Sequence, residues 1–236
     1  MKYYLLILSL VLGIALSGQQ SDYYFPSDNE WATLEAEDLG WCTDSIEALL
    51  TELEENQSKA FILLKDGKIV IESYFDNFTA DDSWLWFSAG KSLTAFLVGL
   101  AQEEAFLNIE ESSNSYLGTG WSNMEADQED AVTVFHHLSM STGLDYTVDD
   151  PFCTDTPCLS FLNPPGSHWY YHNAPYSLLR KVLENATGQN INNYTFRHMH
   201  QKIGMDGLWV RSGFNNFFTS TPRSMARFGL LMLAGG

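Results

Sequence analysis

The sequence predicts an α+β fold, and three observations carry that expectation. Asp66-Gly67 sits between the apolar runs 60–65 and 68–75, a strong two-residue hairpin signal. Apolar residues then recur at helical spacing, at Leu93, Phe96, Leu97 and Leu100 and again along 174–186. With 45% hydrophobic and 14% aromatic residues, a chain of 236 can bury a sizeable core, as one medium or two small domains.

Met1-Lys2 followed by the apolar run 3–16 reads as an export signal, with the small residues Ala15, Ser17 and Gly18 placing cleavage near position 18. That run is too short for a comfortable membrane span. The expected layout is a signal peptide, 1–18, and one domain, 19–236, secreted or periplasmic and free of the membrane after cleavage. Residues 19–43 are polar and aromatic without a period, an arm laid over the body. Asp44-Ser45-Ile46-Glu47 opens a helix whose apolar face is Ile46, Leu49, Leu50 and Leu53. The hairpin follows, then a helix from Ser88 to about Glu104. Residues 108–132 are acidic and loop-like, and a short helix ends near Gly143. Residues 145–167 are loop-rich. Residues 174–186 form a helix burying Leu178, Leu179, Val182 and Leu183, with Gly188 beyond its end. Thr221-Pro222 starts the last helix, with Pro in the tolerated first position. Two strands are too few for a complete sheet, because a lone hairpin is marginal.

A formal charge of −18 excludes nucleic acid and anionic membrane as partners. Cys153 and Cys158 can close a small disulfide loop in an oxidising compartment, leaving Cys42 over. No metal site is expected: His198-x-His200 lacks the spacing that puts two ligands on one helix face, and His136-His137 reads as packing for a helix end.

The chemistry sits in two segments. Ser88-Ala89-Gly90-Lys91 opens an amphipathic helix, and spacing of three puts the serine and lysine on one face. A serine hydroxyl is a poor nucleophile until a base lies within hydrogen-bond reach, and a helix start favours the developing anion. Tyr171-His172-Asn173 follows the Pro164-Pro165-Gly166 turn and the run His168-Trp169-Tyr170, an aromatic wall.

Together these segments resemble the serine hydrolases of the β-lactamase and penicillin-binding-protein superfamily, on the class C β-lactamase and esterase branch. Residues 86–96 look like that branch's nucleophile segment, 137–144 are similar to a second signature, and Pro-Pro-Gly, Trp169, Tyr171 and Asn173 match its second catalytic motif in order. The narrower likeness is to 6-aminohexanoate-dimer hydrolase-like proteins. The resemblance implies a β-lactamase/transpeptidase-like fold: an antiparallel sheet flanked by helices, plus a helical subdomain. It implies that Ser88 forms an acyl-enzyme, Lys91 and Tyr171 act as general base and acid, and Asn173 holds Lys91 and substrate. No cofactor is implied, and the partner is a small-molecule ester, amide or β-lactam. Trp86, Trp169 and Tyr170 would line the acyl pocket, and His172 would face away from Tyr171. Gly90 departs from the bulkier residue usual there.

The family's third element, a Lys/His-x-Gly strand, is absent from the sequence. The resemblance therefore implies a domain whose C-terminal sheet strands are missing, with its oxyanion hole incomplete. Two further readings stay open: a non-hydrolytic penicillin-binding or sensor protein of the same fold, which would acylate without turnover, and an aromatic-rich carbohydrate-binding module.

Overall fold

The computed structural model describes residues 23–27 and 30–236, so the segment read as an export signal, 1–18, lies outside the described residues. The order is α1 (Thr43–Glu55), β1 (Ala60–Lys65), β2 (Lys68–Tyr74), β3 (Trp84–Leu85) and α2 (Gly90–Glu103), then three short helices, α3 (Asn114–Leu117), α4 (Ala126–Asp130) and α5 (Val134–Leu138). There follow α6 (Asn173–Ser177), α7 (Leu179–Thr187), α8 (Ile191–Thr195), α9 (Gln201–Ile203), β4 (Leu208–Ser212), β5 (Asn215–Ser220) and α10 (Pro222–Leu233).

The hairpin is as the sequence predicts, with a register shift between Leu63 and Leu64. Asp66 and Gly67 both take positive φ, 52° and 83°, as its tight turn requires. The arm then pins that turn. Tyr24 N–H donates to the Asp66 carbonyl, and the Trp31 indole N–H donates to the Gly67 carbonyl at 2.7 Å. Residues 32–34 extend the free edge of β2 through Ile69.

A second sheet, in the order β3-β5-β4, forms where the sequence reading had no strands. β3 is two residues long and β4 and β5 meet at a turn through Gly213, so neither carries a long alternating pattern. Other differences are local. The predicted helix 174–186 is two helices, α6 and α7, hinged at Leu178, and the acidic stretch 108–132 holds α3 and α4. The first helix begins at Thr43 with Cys42 as its N-cap, rather than at an Asp44 capping box. α10 starts as read: the Thr221 side chain accepts from Ser224 N–H, and Pro222 follows.

The main core lies between α2, α7, α8 and the β4–β5 hairpin. Leu93, Leu97, Val98 and Ala101 of α2 meet Leu179, Val182 and Leu183 of α7, with Trp209 and Phe218 closing one end. Each such aliphatic side chain contributes about 1.5–3 kcal/mol by leaving water. A smaller cluster, Trp31, Ile69 and Leu230, joins the arm, the hairpin and α10. Arg223 clamps the same junction, its Nε and Nη2 reaching the two oxygens of Glu72 on β2 at 2.6 and 2.8 Å. The guanidinium holds the Glu72 carboxyl below the usual range. Among the described residues β1 pairs only with β2, and α1 buries no residue fully.

Gly143 ends the 137–144 segment with φ 77°, and a Cβ there would lie 2.0 Å from the Asn163 carbonyl oxygen. Gly99, inside α2, has nothing within 4 Å of the same position. Gly143→Ala should therefore lose at least about 2 kcal/mol, whereas Gly99→Ala should gain about 0.5–1 kcal/mol from helix propensity. Urea denaturation of the two variants checks both signs.

Candidate active site

β5 decides where Ser88 stands. β3 pairs with its far end, Trp84 with Ser220 and Leu85 with Thr219, and Trp86 N–H donates to the Phe218 carbonyl at 2.8 Å. The chain then turns through a single 3-10 turn, Phe87–Ala89, into α2. Phe87 takes φ 45°, a left-handed conformation that costs a bulky residue roughly 1–3 kcal/mol. Its ring packs edge-on against Phe217 of β5, a contact that helps hold the strained residue. Ser88 is thus exposed, and Lys91 lies half-buried in the first turn of α2.

The second segment arrives through α5 and α6. The His137 ring Nδ1 donates to the Pro175 carbonyl at 2.8 Å, tying the 137–144 segment to α6. His172, just before α6, has extended backbone and is buried, bonded to the Pro151 carbonyl, and Tyr171 before it is exposed. Lys91 Nζ lies 5.1 Å from the Tyr171 ring centroid and 5.7 Å from that of Tyr176. The Tyr176 hydroxyl donates to the Lys91 carbonyl at 2.7 Å, and burial pushes its own ionisation upward. Tyr171 shifts the other way. A hydrogen bond from Ser88 is the largest cause, and a hydrogen bond and charge from Lys91 add to it, against a smaller desolvation penalty.

Ser88, Lys91 and Asn173 line one cavity of about 230 Å³, and Tyr171 stands beside it. No hydrogen bond joins Asn173 to Lys91 among the described residues. Three aromatic residues expected on the pocket wall do not line this cavity. Trp86 is a core residue, its indole N–H donated to Ser220 Oγ and its ring packed on Phe218 and Phe228. Trp169 is 64% exposed, and Tyr170 stacks on Tyr146 at 3.7 Å beside a separate small cleft. The walls come instead from Phe152, Ile191, Trp209 and Phe217, with Thr94, Tyr176, Arg180, Asn215 and Asn216 as polar lining. Helical spacing would have pointed to Thr94, three after Lys91, and to Tyr176 and Arg180, three and seven after Asn173. The β4–β5 residues had no local signal.

Cys153 and Cys158 form a disulfide, which closes the loop next to Phe152, and Cys42 is free and exposed. His198 and His200 diverge, His198 toward Glu104 and His200 to Asp206 at 2.7 Å.

A serine in a strained turn at a helix start, faced by a lysine and a tyrosine within a mixed helix and antiparallel-sheet frame, is the arrangement of the β-lactamase/transpeptidase fold. The chain belongs to the beta-lactamase family, whose model matches residues 46–236. Among individual proteins it is similar to the 6-aminohexanoate-dimer hydrolase of Paenarthrobacter ureafaciens, 24% identical over 215 residues, covering 78% of this chain and 54% of that protein. A 6-aminohexanoate-dimer-hydrolase-like structure from Bacillus anthracis superposes with a TM-score of 0.68 at 20% identity, covering 80% of this chain and 57% of the other. The octameric penicillin-binding protein homologue from Pyrococcus abyssi gives 0.61 at 17% identity, over 79% and 55%. The chain thus spans little more than half the length of these relatives.

Burial pushes the His137 imidazole down from 6.5 to about 4. The unfolded chain therefore takes up this proton first, and stability falls as pH drops through that window, levelling off below it. His137→Asn keeps a donor for the Pro175 carbonyl and removes the titration. Its loss of unfolding free energy between neutral pH and about pH 4 should be smaller than the parent's by about 3 kcal/mol, read from urea melts at the two pH values.

Proposed function

We propose that this chain is the nucleophile-bearing part of an exported serine hydrolase that cleaves esters or amides of small molecules. The observation that carries the reading is the convergence of Ser88, Lys91 and Tyr171, with the Tyr171 phenol made more acidic by its two partners. Ser88 Oγ attacks the carbonyl carbon as its proton passes to the Tyr171–Lys91 pair. The pair returns the proton to the leaving alcohol or amine, and the acyl group remains on Ser88. Water, deprotonated by the same pair, then attacks the acyl carbon, the ester bond to Ser88 Oγ breaks, and the pair returns the proton to Oγ as the acid leaves. Asn173, with no partner on Lys91, is free to hold the substrate.

A fluorophosphonate should add its mass to the peptide containing Ser88, and Ser88→Ala should abolish both labelling and ester turnover. Labelling that survives the substitution sinks the assignment, and labelling without turnover would favour a sensor. The compact apolar walls favour short acyl groups, so a butyryl ester should exceed a chromogenic cephalosporin in kcat/KM.

The proton pair has its own signature. With a phenolate as base, kcat/KM rises with pH, and the lowered ionisation of Tyr171 puts that rise below the ordinary 10. Tyr171→Phe should remove this limb. Lys91→Ala and Tyr171→Phe should each cost roughly 10²–10⁴-fold, and the double variant should be little worse than the worse single one. Fully additive losses would show independent roles.

A further inference from the structure

The chain carries 30 acidic residues against 12 Lys and Arg, yet no Asp or Glu lines the cavity that holds Ser88. Its charged lining residues are Lys91 and Arg180, both cations. Chance would have put acids there first, so the site reverses the sign of the molecule around it. Arg180 lies on α7, about two turns beyond Asn173 along the α6–α7 segment. Its Nε donates to Glu184 Oε1 at 3.2 Å and its Nη1 to Asn216 Oδ1 at 2.9 Å. Glu184 is itself held by the Ile191 N–H at 2.9 Å. Two anchored partners fix the plane of the guanidinium, and Nη2 donates to nothing among the described residues. Arg180 and Asn216 also line an adjoining cleft of about 140 Å³, where Lys181 and Arg211 add two more cations against Glu184 alone.

A fixed guanidinium with Nη2 unspent, in a cavity lined by no carboxylate, is a receptor for an anion. Ser88 and Arg180 line the same cavity, so a substrate whose scissile carbonyl meets Ser88 can place a remote anionic group at Arg180. We propose that Arg180 is a specificity-determining residue that selects acyl groups bearing a carboxylate remote from the scissile carbonyl, an inference that rests on the Ser88 hydrolase reading. Lys181 and Arg211 draw the anion in against the overall negative field, and Arg180 receives it.

The test compares the p-nitrophenyl half-ester of glutaric acid with p-nitrophenyl valerate, its uncharged counterpart, after subtracting uncatalysed hydrolysis. The parent should prefer the half-ester by about tenfold or more in kcat/KM, the size of one charge-assisted contact. Arg180→Gln should collapse that ratio and Arg180→Lys should restore part of it. A parent ratio near one, or an unchanged ratio in Arg180→Gln, overturns the proposal. A binding arm separates it from the hydrolase reading. Glutarate should raise the melting temperature of the Ser88→Ala protein, and should not do so when Arg180→Gln is added. If neither ester is turned over but this shift is seen and depends on Arg180, the hydrolase reading fails and the anion site stands. If esters are turned over but glutarate shifts both proteins equally, the anion site fails and the hydrolase reading stands.

Discussion

The pairing of β3 with β5 is the constraint on which the site depends. Contacts between residues more than 130 positions apart make this pairing: two ladder pairs, the Trp86 N–H to the Phe218 carbonyl, the Trp86 indole to Ser220 Oγ, and the Thr219 hydroxyl to the Trp84 carbonyl. They end a strand one residue before a strained turn, so Ser88 has little freedom in where it points. Trp86 and Phe218 are also in the main core, so the packing that stabilises the body holds the Ser88 turn as well. Strain at Phe87 persists because both sides of the turn are fixed, by a strand before it and a packed helix after it.

The second half of the site depends on a histidine in the core rather than one in the reaction. His137 is fully buried and links α5 to α6 through the Pro175 carbonyl. Tyr176, one residue further on, reaches the Lys91 carbonyl. These two bonds connect the 137–144 segment, α6 and the first turn of α2, so the lysine and the tyrosine motif are placed by one continuous network. Each bond is modest by itself, but burial makes leaving either partner unsatisfied more costly than the bond's net contribution.

The outer part of the molecule is built on different terms. The arm, the β1–β2 hairpin and α10 meet over Trp31, Ile69 and Leu230, reinforced by Glu72 and Arg223 and by Arg227, which donates to the carbonyls of Pro26 and Ile203. The free side of β1 and the apolar stripe of α1 stay outside that core, whereas the reaction cavity lies wholly within the better-packed half. The cavity that holds Ser88 is therefore lined by the Phe87–Ala89 turn, α2, α6, α7, α8, β4, β5 and Phe152, and by no residue of the β1–β2 hairpin.

Much of this was legible in the chain, because some signals are local. Asp66-Gly67 can hardly be other than a tight hairpin turn, the Leu93 to Leu100 period specifies a buried helix face, and Thr221-Pro222 caps α10 as read. Ser88 and Lys91, three apart, share a helix start, and His172 is buried while Tyr171 beside it is exposed, so the two face apart as read. What the chain could not express locally were contacts between distant segments. Trp86 and Trp169 look alike as pocket candidates, yet one is in the core and the other is largely in solvent, a choice made by whether β5 lies alongside. Arg180 reads as an ordinary helix-surface cation until Glu184 and Asn216 fix its plane beside the cavity. Sequence by itself determined the α+β class, and it marked Ser88, Lys91, Tyr171 and Asn173 through short-range backbone preference and helical period. Only the tertiary structure decided which walls and charges surround them, because β3, β4 and β5 gain their strand character from pairing with one another rather than from their own residues.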